Sequence, residues 1–188
     1  MAKAFRKGFP IALILVGIVF VGAGIYTTAR GWDARQTVRA ELLAQNITTT
    51  EDAAIPNARV QDGATAHAMA EIIGVHAEEA TGGQTYAEMG RFLTPDGGST
   101  SDEAAAATDK DGNPVPNPLR DVAFQASALQ ASLHTSHMAW DVSTLVIGLG
   151  LMIATLGFVI GGLGVALGAF ALPAFARRTA VRPAEVPA

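Results

Sequence analysis

The sequence predicts an all-α membrane protein: a transmembrane helical hairpin of two long antiparallel helices with a small helical extracytoplasmic cap. Two stretches without Asp, Glu, Lys or Arg predict the hairpin, 22 residues from Gly8 to Ala29 and 35 residues from Val142 to Ala176. A bilayer core about 30 Å thick needs roughly 20 apolar residues in a helix, and both stretches reach that length. Between them, segment 30–141 holds 16 acidic and 7 basic side chains, a net charge of −9.

The charge pattern divides the chain into five predicted segments. They are a cytoplasmic stub (1–8), a first transmembrane helix (9–29), an extracytoplasmic segment (30–141), a second transmembrane helix (142–172) and a cytoplasmic tail (173–188). A cleaved signal peptide is the alternative for the first span. Its apolar stretch is longer than such peptides use, and Thr27-Thr28-Ala29 is a poor cleavage site. We therefore predict an uncleaved anchor.

Basic residues at both ends indicate the orientation, because cytoplasmic flanks of membrane helices are enriched in Lys and Arg. Five of them flank the spans: Lys3, Arg6, Lys7, Arg177 and Arg178. We expect a multi-pass protein of the cell membrane with both termini cytoplasmic. Three arginines just beyond the first span oppose this orientation: Arg30, Arg35 and Arg39.

Small residues follow one face of the second span, at alternating spacings of four and three. They are Gly150, Ala154, Gly157, Gly161, Gly164, Gly168 and Ala171. This 3.5-residue period places all seven on one side of a helix. Such a stripe lets another helix backbone approach closely in lipid. The partner is either the first span, which offers Gly17 and Gly24 one heptad apart, or a second copy of the protein.

The second charge-free stretch is too long for a simple span. As a helix its 35 residues measure about 52 Å at 1.5 Å per residue, which exceeds the bilayer core. Tilt absorbs part of the excess. We expect the remainder to project outward as a stalk.

Three stretches of the middle segment are predicted to be helical, and one is predicted to be a flexible loop. Good helix formers occupy 33–46, a helical period runs over 60–80 and stops at Thr81-Gly82-Gly83, and helix resumes over 119–141. Residues 94–118 are rich in Gly, Pro, Ser and Asp. That composition buries too little apolar surface to offset chain entropy.

Composition also excludes several classes of function. The chain has no cysteine, which excludes disulfide scaffolds, iron–sulfur ligation and a thiol nucleophile. The acidic middle segment argues against nucleic acid as a partner, since phosphate binding needs a basic face. No nucleophile elbow or triad spacing is visible, so we predict no catalytic residues and no cofactor.

All four histidines lie in the middle segment, and some have metal-ligand spacing. His67 and Glu71 are four residues apart, and His134 and His137 are three apart, so each pair lies on one helix face. Such pairs could hold a divalent metal. Polar residues on packed or solvated helix faces are the alternative, which we favour because nothing in the sequence fixes the two helices side by side.

Several stretches resemble a group of actinobacterial two-span membrane proteins of unknown function. The resemblance rests on 38–47 leading to Ile55-Pro56, on 70–73 and 79–89, and on 132–140 before the last span. Ten arginines against three lysines fit a high-GC source. Members of that group often carry the label of aromatic ring-opening dioxygenase. That chemistry requires an iron site in a substrate-sized pocket, and we carry no catalytic role onto the histidines from the label.

The sequence therefore favours a non-enzymatic interaction or accessory subunit that packs through its glycine and alanine residues. Its expected partners are the lipid bilayer and either another membrane protein or further copies of itself. Two other hypotheses stay open at this point: a metal-dependent protein that uses the extracytoplasmic histidines, and a sensor that passes a signal laterally within the membrane.

Overall fold

A computed structural model describes residues 2–171 of the chain, with side chains over 8–169. Three α-helices dominate it: α1 (Ala2–Ala44), α2 (Gly63–Thr81) and α3 (Pro118–Ala171). Two short strands, β1 (Phe92–Leu93) and β2 (Ser99–Thr100), and one turn of 3₁₀ helix (Glu103–Ala105) lie between α2 and α3. The predicted tail 173–188, with Arg177 and Arg178, lies outside the described residues, as do the side chains of Lys3, Arg6 and Lys7.

The predicted all-α fold with two long apolar helices is confirmed. Within the described residues, α1 from Gly8 and α3 to Ala169 are long and apolar enough to cross a membrane. Both helices extend well beyond the predicted spans, since α1 has 43 residues and α3 has 54. Proline does not interrupt α3, because Pro118 stands at its first position, where a missing N–H costs nothing.

The chain forms two compact units, and α1 and α3 contribute to both. We name residues 1–34 with 143–188 the helix-pair unit, and residues 35–142 the connecting unit. In the helix-pair unit, α1 and α3 are antiparallel: Gly17 lies against Gly161, Gly24 against Ala154, and Gly31 against Ile147. The helical hairpin of the prediction is therefore formed by these two segments.

The second helix has well-defined ends inside the connecting unit. Asp62 is its N-cap and accepts a hydrogen bond from the Thr65 N–H at 2.9 Å, while the Thr65 side chain accepts from the Asp62 N–H. This reciprocal pair satisfies backbone donors that a helix start leaves open. Gly82 ends the helix in the left-handed conformation, at φ 65°, as the predicted Thr81-Gly82-Gly83 stop requires.

A small apolar core holds the connecting unit together. Its buried members come from α1, α2, α3 and the segment before α2: Leu42, Val60, Ala66, Ala70 and Leu133. Val60 is fully buried. Helix α2 approaches α3 closely at two glycines, Gly63 beside Trp140 and Gly74 beside Gln130. The core therefore fixes α2 beside α3 along the stretch that carries the histidines.

Much of the backbone over 94–118 is paired, which composition did not predict. β1 and β2 form an antiparallel ribbon, and isolated bridges join Phe92 to Pro116 and Thr108 to Pro114. Further backbone bonds link Leu93 with Val115 and Val115 with Ala107. The amino-acid composition of 94–118 indicates only how much apolar surface the segment can bury. The pairing consists of hydrogen bonds between backbone groups, which need few apolar side chains, so composition could not predict it. The ribbon adds a small β element to a mainly helical fold.

Candidate functional site

The structure places the predicted small-residue stripe between α1 and α3 of the helix-pair unit. Gly150, Gly157 and Gly164 are buried there, and the three members between and beyond them are half-buried: Ala154, Gly161 and Gly168. The seventh member, Ala171, ends α3, and its side chain lies outside the described part of the chain. Gly150, Gly157, Gly161 and Gly164 meet α1 of the same chain.

Helix α1 presents a matching stripe, of which only part was predicted. Its buried members fall seven residues apart: Pro10, Gly17, Gly24 and Gly31. Gly17 and Gly24 were predicted, whereas Pro10 and Gly31 were missed. Ser143 was missed in the same way on α3, where it lies buried seven residues before Gly150. Extending the seven-residue period from Gly17 and Gly24 to both sides, and from Gly150 toward the start of α3, would have found all three.

The two backbones approach so closely that several positions of this contact exclude any side chain. A Cβ added at Gly17 would lie 2.6 Å from the Gly161 backbone, and one at Gly157 would lie 2.6 Å from the Val21 nitrogen. At Gly22 and Gly162 an added Cβ would meet nothing within 4 Å. Close backbone approach through glycine is how helices associate in lipid without a hydrophobic driving force. We name this contact the glycine seam.

In the connecting unit, α2 and α3 bring three of the four predicted metal candidates together. His67 and Glu71 lie one turn apart on α2, and His134 faces them from α3. One ligand atom from each residue lies within 4.8 Å of the other two. Glu71 Oε1 is 4.0 Å from His67 Nδ1 and 3.7 Å from His134 Nε2. We name these three residues the histidine cluster.

The fourth candidate, His137, borders the histidine cluster. Its ring stacks on His67 with centroids 4.9 Å apart and planes inclined by 21°. Its Nδ1 lies 3.0 Å from the carbonyl oxygen of Gly63, and since a carbonyl only accepts, that nitrogen carries the proton. Its Nε2 lies 3.5 Å from Asp141 Oδ2. His137 therefore links the start of α2 to α3 beside the ring of His67.

The remaining histidine is hydrogen-bonded outside the histidine cluster. His76 Nε2 lies 2.7 Å from Asp52 Oδ2, and both side chains are about half exposed. The Thr50 side chain and then the His76 ring lower the pKa of the Asp52 carboxyl below its usual value. His76 and His67 are thus two histidines of the same helix with different partners, Asp52 for His76 and Glu71 for His67.

The histidine cluster is open to solvent. The exposed fractions of the side chains are 49% for His67, 62% for Glu71 and 39% for His134. Two imidazole nitrogens and a carboxylate oxygen are donors that suit borderline divalent ions such as Zn²⁺. The alternative chemistry is a pair of weak histidine–glutamate ion pairs, which contribute little stability at such exposure.

Known proteins add no further identification. Comparison with protein-family models, curated proteins and solved structures finds no match to this chain. The resemblance to actinobacterial two-span membrane proteins therefore stays a prediction.

Proposed function

We propose that the protein is a non-enzymatic, two-span integral membrane protein whose connecting unit binds another membrane protein outside the cytoplasm. In this proposal the glycine seam joins the two spans into one anchor. Support comes from two helices apolar enough to cross a membrane and from basic residues at both ends of the chain. Both termini are then cytoplasmic, and the acidic segment lies on the other side of the membrane.

The three arginines that oppose this orientation have contacts within the chain. Arg30 lies 3.7 Å from Asp33, the Arg35 guanidinium lies 4.9 Å from the Trp140 ring centroid, and Arg39 donates to Gln61 at 2.8 Å. Each arginine thus has a protein group to interact with. We infer that these arginines stabilise the local structure through these contacts. That role would explain why positive charges lie outside the cytoplasm, where they are less frequent next to membrane helices.

The glycine seam argues against oligomers that form through the same face. Backbone atoms of α1 already fill the space beside Gly157 and Gly164. A second copy would have to displace α1 to use that stripe. We therefore look for the partner contact in the connecting unit.

An exposed aromatic patch is the observation that carries the partner proposal. Tyr86 and Phe124 are 40% and 55% exposed, and their ring centroids lie 5.5 Å apart. The Arg120 guanidinium lies 4.0 Å from the Tyr86 ring centroid and donates to the Tyr86 carbonyl at 3.0 Å. Aromatic residues and arginine dominate the binding energy of protein interfaces. We name Tyr86, Arg120 and Phe124 the aromatic patch.

Rigidity and charge narrow the kind of partner. Arg120 also donates to the Met89 carbonyl, so both sides of the patch are held before any partner binds. Preorganised groups lose less entropy on binding. The surrounding segment 30–141 carries a net charge of −9, which favours a partner with a basic surface around an apolar pocket.

Photocrosslinking tests the proposal in native membranes. A photoreactive phenylalanine analogue replaces Phe124 in one variant and Lys110, an exposed residue in the 94–118 segment, in the control. We expect one recurrent adduct with a membrane protein at position 124 and none at position 110. Absence of any adduct at 124 would overturn the proposal. An adduct of two 19.4 kDa chains would also contradict it, because the partner would then be a second copy.

A further inference from the structure

We propose that His67, Glu71 and His134 form a binding site for one divalent first-row transition ion of the Zn²⁺ type. The inference goes beyond the proposed partner binding, because it gives the connecting unit a small ligand of its own. It rests on the geometry of the three side chains and on the contacts that fix α2 against α3.

Contacts on both sides of the histidine cluster hold the two helices in place. Toward the start of α2, Gly63 packs against Trp140, where an added Cβ would lie 2.9 Å from the indole, and its carbonyl accepts from His137. Toward the other end, Gln130 donates from Nε2 to the Ala70 carbonyl at 3.2 Å. His67 lies between these two anchor points, and Glu71 directly follows Ala70. Metal sites need such support, because ligands must be held near their binding geometry.

The ligand atoms are close to the spacing that one ion requires. With bonds of about 2.1 Å to nitrogen and oxygen, tetrahedral ligands lie roughly 3.4 Å apart. Glu71 Oε1 lies 3.7 Å from His134 Nε2 and 4.0 Å from His67 Nδ1. All three ligand atoms lie within 4.8 Å of one another, and rotation of the exposed side chains can shorten these separations. Glu71 is central, because its carboxylate faces both rings and supplies negative charge to a cation.

The stacked ring of His137 positions the His67 ring. The planes of the His137 and His67 rings are inclined by 21° and so are nearly parallel. The Nδ1–H of His137 donates to the Gly63 carbonyl. Packing against this ring limits rotation of the His67 imidazole, and metal sites need ligands that packing holds in place. His137 lies outside the set of three ligand atoms and packs against one of the ligands.

The donor set selects the class of ion. Imidazole nitrogen binds Zn²⁺, Cu²⁺, Ni²⁺ and Co²⁺ far better than the hard ions Ca²⁺ and Mg²⁺, which prefer oxygen. Exposure of the three side chains leaves room for water at the remaining coordination positions.

Calorimetric titration with Zn²⁺ tests the site in the full chain. The protein is purified in detergent without a polyhistidine tag, and it has no cysteine that could bind zinc. We expect one Zn²⁺ per chain and no comparable binding of Mg²⁺. His67→Ala, Glu71→Gln and His134→Ala should each weaken Zn²⁺ binding at least about tenfold, because each removes a ligand.

His76→Ala is the matched control, because it removes the same side chain from the same helix outside the cluster. Its Zn²⁺ affinity should equal that of the unmodified protein. Circular dichroism of each variant confirms that the helices remain folded. Lack of stoichiometric Zn²⁺ binding would overturn the site, and so would an equal loss in His76→Ala or unchanged affinity in Glu71→Gln. The crosslinking at Phe124 is a separate measurement, so the two proposals fail independently.

Cobalt provides a second, spectroscopic readout. Co²⁺ takes the place of Zn²⁺ in sites built from nitrogen and oxygen donors, and its visible absorption reports the ligand geometry. We expect Co²⁺ bands that Zn²⁺ displaces, and we expect them to be lost in His134→Ala and retained in His76→Ala. A spectrum identical to aqueous Co²⁺ would contradict the proposed site.

Discussion

At the residue scale, glycines of one helix, α3, differ in whether another helix packs against them. Gly157 is buried where α1 passes, whereas Gly162 is exposed and an added Cβ there meets nothing within 4 Å. The period of the small residues already separates these two positions in the sequence, since Gly157 belongs to the predicted stripe and Gly162 does not. The surroundings of a glycine therefore decide whether a substitution is tolerated.

Gly157→Ala should destabilise the helix pair. Its Cβ would lie 2.6–2.9 Å from atoms of Gly17, Phe20 and Val21, so the helices must separate. Overpacking of this kind costs about 1–3 kcal/mol. Gly162→Ala is the control and should change stability by less than about 1 kcal/mol. Unfolding in mixed detergent, followed by circular dichroism, measures both, and equal stability of the two variants would contradict the glycine seam.

Asp109 organises the turn inside segment 94–118. Its Oδ1 accepts from the Asn113 N–H at 2.8 Å and from the Asp111 N–H at 2.9 Å. The Asn113 N–H, first among these bonds, lowers the pKa of the Asp109 carboxyl below the usual 3.8. A carboxyl with a lowered folded pKa stabilises the fold above its unfolded pKa. That contribution is lost as the pH falls through the folded value.

We therefore expect the turn at Asp109 to loosen in acid. Amide hydrogen exchange, corrected for intrinsic rates, should show protected Asp111 and Asn113 amides at pH 6 and lower protection well below pH 3.8. Asp109→Ala should remove that protection at pH 6, whereas Asp96→Ala, which alters a neighbouring turn, should leave it unchanged. Protection that persists in Asp109→Ala would show that the carboxylate does not hold the turn.

At the element scale, local sequence signals predicted where α2 ends, because caps depend on neighbouring residues. Gly82 stops the helix as Thr81-Gly82-Gly83 indicated, and its φ of 65° is one that glycine adopts without strain. The N-terminal cap was not predicted, although Asp62 followed by Thr65 is visible in the sequence. The pairing over 94–118 was also missed, because its bonds join backbone groups that lie far apart in the chain.

Asp62→Ala should destabilise α2 by about 1 kcal/mol, because the Thr65 N–H loses its acceptor. Asp62→Asn keeps an acceptor oxygen at the same position and should retain most of the stability. Thermal unfolding of the two variants in the same detergent measures the difference. If both lose the same stability, the charge of Asp62 matters and its cap hydrogen bond does not.

The histidine cluster depends on contacts between two helices, which the spacing of residues within each helix does not predict. Spacing identified His67 with Glu71 on one helix and His134 with His137 on another. Their meeting depends on Gly63, Ala70 and Gln130, which fix α2 against α3 across some sixty residues of chain. Such long-range contacts follow from packing and leave no periodic signal in the sequence.

At the scale of the whole molecule, the absence of charge over long stretches predicted the apolar helices. Burying or spanning such stretches is the only arrangement that keeps them from water. The seven-residue repeat of small residues then determined which faces of α1 and α3 meet. The sequence left open whether that contact forms within one chain, and the contacts of Gly17 and Gly24 with α3 place it there.

Orientation in the membrane is the central claim of the proposed function, and the absence of cysteine makes it directly measurable. Two single-cysteine variants, Ser101→Cys and Ala4→Cys, are expressed in cells. Each is treated with a membrane-impermeant maleimide before and after permeabilisation. The cysteine-free chain controls for background labelling. We expect Ser101→Cys to be labelled in intact cells and Ala4→Cys to be labelled only after permeabilisation. Labelling of Ala4→Cys in intact cells, or protection of Ser101→Cys until permeabilisation, would contradict it.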